Sequence, residues 1–357
     1  MQRRVALALL RCLALLAVTL SLSVTIDYFQ PSHAQDPKPN PTPSPSPETE
    51  EIEPDDVISV NTTEVLLPVT VRDTLGEIVL NLTKQDFKVF EDEVDQPLSD
   101  LSLRQVPVDV VLMVDASSSV SENLDDFRRA AEGFAAHLSA DDRISLIQFD
   151  DRILLLQDWT RSRGQLRRAL RRVAPGMFTR FHDAVLLATR DQRPRGDARH
   201  AIIVLTDGID SGRGSSFDAA LRSALQTQTT VYIVSNTEIE RANKQSQLAD
   251  LTSGSPGSVK FNELRIEDLR LALQALDVSE QNLGQLAAST GGRLYKPRSF
   301  NDLEKTYAEV AEELRHQYAL YYSPLDKKRD GQFRRVRVRT SNPDHQVSAR
   351  IGYFAPK

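Results

Sequence analysis

The sequence predicts an α/β protein: a doubly wound, mostly parallel sheet with helices on both faces, joined to a small β-sandwich made from strands of both chain ends. Three observations lead there. From residue 107 to about 316, short apolar runs alternate with helical patterns, as the strand–helix repeats of a parallel sheet require. The run Val108–Val114 (VDVVLMV) is almost wholly apolar, which suits a strand covered on both faces. Residues 57–106 and 317–357 instead read as short β runs divided by turns, too thin to form a core separately.

The N-terminus opens with a basic MQRR, continues into the apolar Cys12–Ile26, and reaches a small-x-small site at Ser32-His33-Ala34. That is the layout of a secretory signal peptide over 1–34. An uncleaved anchor over Val5–Ile26 is the alternative and would keep the protein near a membrane. Either places the rest of the chain outside the cytoplasm: periplasmic, cell-envelope or secreted. Cys12 is the sole cysteine, so disulfides and thiol chemistry play no part after the leader. The formal charge is −6; removing residues 1–34 takes away three arginines and one aspartate and leaves −8. That sign disfavours nucleic acid as a partner. Alternating prolines then make 35–56 an extended linker.

In the N-terminal β domain, 57–106, strands are expected at Val65–Val71, Ile78–Leu82 and Phe87–Phe90, with turns at Leu75-Gly76 and Glu91-Asp92. The C-terminal strands, 317–357, are expected at Tyr318–Tyr322, Phe333–Thr340 and Val347–Tyr353, packing on the N-terminal ones. Between them, 107–316 forms the α/β domain. Its strands are Val108–Val114, Ile144–Phe149, Ala201–Leu205, Val231–Val234 and Arg293–Tyr295. Its helices are Glu122–Leu138, Arg163–Val173, His182–Arg190, Ser216–Gln226, Ile266–Leu276, Glu280–Ser289 and Phe300–Arg315. Thr237–Leu264, polar and rich in Ser and Gln, reads as an insertion. Arg334, Arg335, Arg337 and Arg339, with Lys327, Lys328 and Arg329, form the one basic cluster, read as the solvated face of a half-buried strand.

Three segments carry chemistry. Asp115-Ala116-Ser117-Ser118-Ser119 follows the first strand, and in an extended turn Asp115, Ser117 and Ser119 point the same way. Thr206-Asp207-Gly208 closes the strand AIIVL. Gly176-Met177-Phe178-Thr179 precedes the helix at His182. Ligands of open α/β sheets bind at the carboxyl ends of strands. Two carboxylates and three hydroxyls are hard oxygen donors that suit Mg²⁺, Mn²⁺ or Ca²⁺ rather than zinc or copper. Taken alone, DASSS is also a helix N-cap, with Glu122 in capping-box register after Ser119. Asp150 and Asp151 read as a strand end with no part in the site, Asp183 as a helix start, Asp210 as a turn residue, and His182 as a surface or core histidine.

DASSS, a loop threonine and VLTDG, in that order and spacing, resemble the metal-ion-dependent adhesion site of a von Willebrand factor type A domain, a Rossmann-like fold, over roughly residues 107–300. The flanks (VTVRDTLGEIVLNLTKQDFKVFEDEVDQP, TGGRLYKP, QYALYYSP and GQFRRVRVRT) resemble a bacterial exported family built around such domains. The resemblance implies that Ser117, Ser119 and Thr179 give hydroxyl oxygens to the metal. Asp115 and Asp207 would coordinate it directly or hold its waters. An Asp or Glu carboxylate of a partner protein would fill the open position. Family members often carry glycines just before the threonine. Met177 and Phe178 depart from that, with side chains that would alter the loop or crowd the open position. The expected function is thus a cation-dependent, adhesion-like protein-binding module and not an enzyme. The alternatives are an envelope scaffold with a purely stabilising metal, or a metal-dependent hydrolase. The chain has no HExxH, CxxC, GxSxG or Gly-rich phosphate loop.

Overall fold

The computed structural model describes residues 64–102, 106–117, 123–192, 198–210 and 214–357. The expected leader (1–34), the linker (35–56) and Ser119 lie outside the described residues. Strands β1 (Val65–Arg72), β2 (Phe87–Glu91), β3 (Val94–Gln96) and β4 (Leu98–Ser102) come first. The α/β part follows: β5 (Val108–Asp115), α1 (Leu124–His137), β6 (Arg143–Phe149), β7 (Ile153–Thr160), α2 (Arg163–Leu170), α3 (Phe181–Arg190), β8 (Arg199–Thr206) and α4 (Phe217–Gln226). It continues with β9 (Thr230–Ser235), α5 (Thr237–Thr252), α6 (Pro256–Phe261), α7 (Glu263–Ser289), β10 (Leu294–Tyr295) and α8 (Leu303–Arg315). β11 (Tyr318–Tyr322), β12 (Phe333–Thr340), β13 (Gln346–Ser348) and β14 (Gly352–Phe354) end the chain.

The central sheet runs β10-β9-β8-β5-β6-β7, parallel except for the antiparallel edge strand β7. Every residue of β5 is buried. Val110, Leu112 and Val114 face a core shared with α1, α2 and α8, while Val111 and Met113 face one shared with α3, α4 and α7. That two-sided burial explains why the strand reads as one apolar run.

Two four-stranded antiparallel sheets, β13-β1-β11-β4 and β14-β12-β2-β3, share a third core that includes Val65, Leu67, Val89, Leu320 and Val338. β1 pairs with β11, and β2 with β12, so strands from both ends of the chain build the same sheets. Glu91, buried between them, accepts hydrogen bonds from the hydroxyls of Tyr322 (2.8 Å) and Tyr353 (2.9 Å). Arg335, Arg337 and Arg339 are exposed and Val336 and Val338 buried, as the alternation predicts. Arg334 shares the face of Val336 and Val338 and is buried, so it departs from the solvated-face reading of the cluster; it is ion-paired to Asp326 and Asp330.

Several expectations are corrected. Ile78–Leu82 is no strand; only an isolated bridge joins Ile78 to Arg72, and Tyr318 Oη instead holds the segment, donating to Val79 O and accepting from Leu82 N. The Thr237–Leu264 insertion is helical, as α5, α6 and the start of α7. α5 buries only Thr237 and Ile239, so no apolar stripe marks it. Ile266–Leu276 and Glu280–Ser289 are one 27-residue helix, α7. Val347–Tyr353 divides into β13 and β14, and β7 was not foreseen.

α2 carries a second basic cluster. Arg163/Arg167, Arg167/Arg171 and Arg168/Arg172 stand four residues apart, a spacing at which like charges repel by a few tenths of a kcal/mol per pair. Arg168→Glu converts repulsion into attraction toward Arg172. Because it also puts a negative charge in the last turn, where the helix dipole favours arginine, the two effects offset, and stability is expected to change by less than about 0.5 kcal/mol, read as a nearly unchanged urea midpoint.

Candidate functional site

β5 and β8 lie side by side in parallel register, Val114 opposite Leu205, so Asp115 and Thr206 end their strands at one level. Asp115 is fully buried. Its Oδ1 accepts the Ser117 N–H at 3.0 Å and its Oδ2 accepts the Thr206 hydroxyl at 2.7 Å. Asp207 follows directly; its Oδ1 accepts the Ile209 N–H at 3.0 Å and its carbonyl accepts the Ser279 hydroxyl of α7. Gly208 turns the chain away at φ +67°, and a Cβ there would come within 2.7 Å of Leu283, so only glycine fits. Its N–H bonds Thr206 Oγ1 at 2.8 Å.

Burial pushes the Asp115 carboxyl up to about 7, and the negative charge of Asp207 pushes the same way against the hydrogen bonds from Thr206 and Ser117. Asp115 is thus held near a second carboxylate in a place that disfavours its own charge.

The third segment reaches the same place through the backbone. Gly176 N–H donates to Ala116 O at 2.7 Å, which fastens the 174–179 loop to the residue after Asp115. A Cβ on Gly176 would lie 2.3 Å from Asp150 Cβ, so close approach demands glycine. Gln148 holds the start of the loop, donating to Ala174 O at 2.7 Å and accepting from Ala174 N–H at 3.1 Å. Thr179 is buried, as are Ser117 and Asp207. Met177 and Phe178 are 76% and 55% exposed, so much of their side-chain surface meets solvent.

Sequence reasoning missed the parts played by Asp150, His182 and Asp210, while Asp183 stands at a helix start as expected. Asp150 is fully buried, accepts from Gln148 Nε2 at 2.7 Å and forms the wall against Gly176. His182 and Asp210 form a pair rather than standing as a lone histidine and a plain turn residue. Asp210 Oδ2 lies 3.0 Å from both the backbone N and Nδ1 of His182. Asp183, at the start of α3, accepts from Arg180 at 2.6 and 2.9 Å and from Ser215 N–H at 2.9 Å. These contacts tie the chain on either side of 211–213 to α3. The one local signal was Gly214, where a Cβ would meet Asp183 Oδ2 at 2.2 Å.

Among the described residues, no group of three or more His, Cys, Asp and Glu side chains could hold a metal. The arrangement at Asp115 has a different make-up, two carboxylates with hydroxyls. Also among the described residues, no helix is long and apolar enough to cross a membrane.

A family model for the von Willebrand factor type A domain matches residues 110–209. No curated protein matches the chain. Among solved structures, the conserved hypothetical protein BatB from Bacteroides thetaiotaomicron is 24% identical over 36% of this chain and 66% of its own, with a TM-score of 0.33. Proximal thread matrix protein 1 from the mussel byssus is 14% identical over 63% of this chain and 51% of its own, TM-score 0.45. The vWF domain of the type V pili tip protein Mfa5 from Porphyromonas gingivalis is 26% identical over 30% of this chain and 39% of its own, TM-score 0.28. The chain thus spans roughly half to two thirds of the length of the first two. The segment that matches the von Willebrand factor type A model, 110–209, runs from β5 to just past Asp207 and so takes in Asp115, Ser117, Thr179 and Asp207.

Proposed function

We propose that the protein is an exported, divalent-cation-dependent protein-binding module and not an enzyme. One observation carries this reading: Asp115, fully buried at a strand end, is held beside Asp207 where burial and like charge both oppose ionisation. A cation relieves that opposition, and the donors at hand, two carboxylates and the hydroxyls of Ser117 and Thr179, are the hard oxygens that Mg²⁺, Mn²⁺ or Ca²⁺ take. Ser117, Ser119 and Thr179 would supply hydroxyl oxygens, and Asp115 and Asp207 would coordinate or hold waters. The bound ion supplies a positive centre for the Asp or Glu carboxylate of a partner protein. Export rests on the sequence of residues 1–34, and the domain division 57–106, 107–316 and 317–357 on the composition shifts together with the pairing of β1 with β11.

Mn²⁺ tests both halves. One ion per chain should bind the full chain and enhance water-proton relaxation, as an ion with an exchangeable water does, and Ser117→Ala and Asp207→Ala should each lose it. An acidic peptide should lower the enhancement by displacing that water. An enhancement indifferent to the peptide would leave a stabilising metal and a scaffold; no bound ion would remove the site.

A further inference from the structure

The stretch Arg161–Arg172 (RSRGQLRRALRR) holds six arginines and no acidic residue, in a chain of net charge −6. All six are exposed, while Leu166, Ala169 and Leu170 anchor α2 to the core. Arg167 is ion-paired to Glu132 at 2.9 Å. Arg161, Arg163 and Arg172 donate to the carbonyls of Asp141, Ala136 and Leu156. Arg168 and Arg171 have neither an ion pair nor a hydrogen bond among the described residues through their side chains.

The helix dipole favours Arg167 and Arg168 in the last turn of α2, but it does not account for the rest of the pattern. The four-residue spacings repel, and Arg163 sits in a first turn without an acidic residue, where the helix dipole disfavours positive charge. Local choices that work against an element's own stability are the ones to examine for function. The position supplies that function. From the end of α2 the chain runs through Val173–Pro175 to Gly176, bonded to Ala116 beside Asp115. Arg152 and Arg180 stand next to Asp150 and Thr179 in the same loops. The arginine face is therefore joined to the candidate site by a single short segment, and guanidinium forks pair with carboxylates two bonds at a time.

We infer that the exposed face of α2 is the second half of the partner surface. It takes an acidic protein segment whose leading carboxylate meets the cation at Asp115 and Asp207 and whose following carboxylates pair with Arg171 and Arg168. This rests on the reading of the site given under the proposed function. A short acidic segment is favoured over an anionic bilayer or polymer because the net charge of −6 opposes an extended anionic surface, whereas a short segment meets only the local patch.

The test is fluorescence anisotropy of a labelled decaglutamate peptide with the full chain, in Mg²⁺ and in EDTA. The double variant Arg168→Glu/Arg171→Glu should weaken binding by about tenfold or more, and raising salt from about 50 to about 500 mM should weaken the native chain likewise. The urea midpoint and circular dichroism of the double variant, compared with the native chain, separate lost binding from lost structure. Asp207→Ala should lose the Mg²⁺-dependent part and keep the salt-sensitive part. Binding that ignores Mg²⁺ but fails in the double variant would remove the cation bridge and keep the arginine face. A double variant that binds the peptide as tightly as the native chain would overturn the inference. So would binding of phosphatidylglycerol vesicles, lost in the double variant, by a chain that ignores the peptide.

Discussion

Asp207→Ala should abolish the stabilisation that Mg²⁺ confers while making the cation-free protein more stable near neutral pH. An ion bound only by the folded state at about a hundred times its Kd adds about 2.7 kcal/mol, or roughly 5–10 °C in Tm for a unit of this size. Differential scanning calorimetry of the native chain in Mg²⁺ and EDTA measures this, and the variant should show no difference between the two. The reversal in EDTA follows from Asp115. Its folded-state pKa, about 7, is above the usual carboxylate value, so between about 4 and 7 the folded chain holds a proton that the unfolded chain releases. Stability without cation therefore falls as pH rises through that window, by a few kcal/mol. Removing the Asp207 charge lowers the folded-state pKa and shrinks the fall, although burial keeps part of it. A native chain whose EDTA stability is flat from pH 4 to 7 would show that Asp115 is not under this pressure.

Arg199→Met should cost about 3 kcal/mol, because it strips several acceptors of one shared donor. Arg199 opens β8 and is buried, and burial pulls its pKa down. Its Nε and Nη2 donate to Val106 O at 3.1 and 2.9 Å, and its Nη1 donates to Leu314 O at 2.8 Å and to Gln317 Oε1 at 2.9 Å. Gln317 in turn donates to Tyr232 Oη at 2.9 Å. The chain entering the α/β part at Val106 and leaving it at Leu314–Gln317 is thus pinned to one side chain. Methionine keeps the length and removes every donor, leaving buried carbonyls unsatisfied. Urea unfolding gives the measurement; a loss under about 1 kcal/mol would mean that water reaches those carbonyls.

What could be read in the sequence follows from how burial writes itself into composition. β5 and β8 are covered on both faces, so their apolar runs end visibly in Asp115 and Asp207, and the sheet and the ends of its strands were legible. β7 was not, because it is an edge strand with Leu154 and Leu155 exposed, and an apolar run there has no fixed period. α5 was lost for the opposite reason: it buries too little to show a stripe. Ile78–Leu82 alternates like a strand, but its partner is the hydroxyl of Tyr318, 236 residues from Leu82 in the chain. The pairing of His182 with Asp210 and the contact of Asp150 with Gly176 likewise depend on chain segments brought together only by folding. The arginines of 161–172 were passed over for the Arg334 cluster, and their nearness to the 174–179 loop depends on the folded chain.

The antiparallel sheet that holds β1 also decides how the protein responds to force. Tension arriving from the N-terminal side reaches β1 first. That strand is paired on one side with β11, from Val65 to Val69, and on the other with β13, from Thr70 to Arg72. Ladder hydrogen bonds lie across the strand axis, so an axial pull loads them in shear. They share the load and must give way together, whereas a strand peeled from one end surrenders its bonds singly. A partner seated at Asp207 and a tether ahead of Glu64 would pull against each other through this ladder. The grip of such a module under flow would then be set by this four-stranded sheet, not by the large parallel one that carries the site.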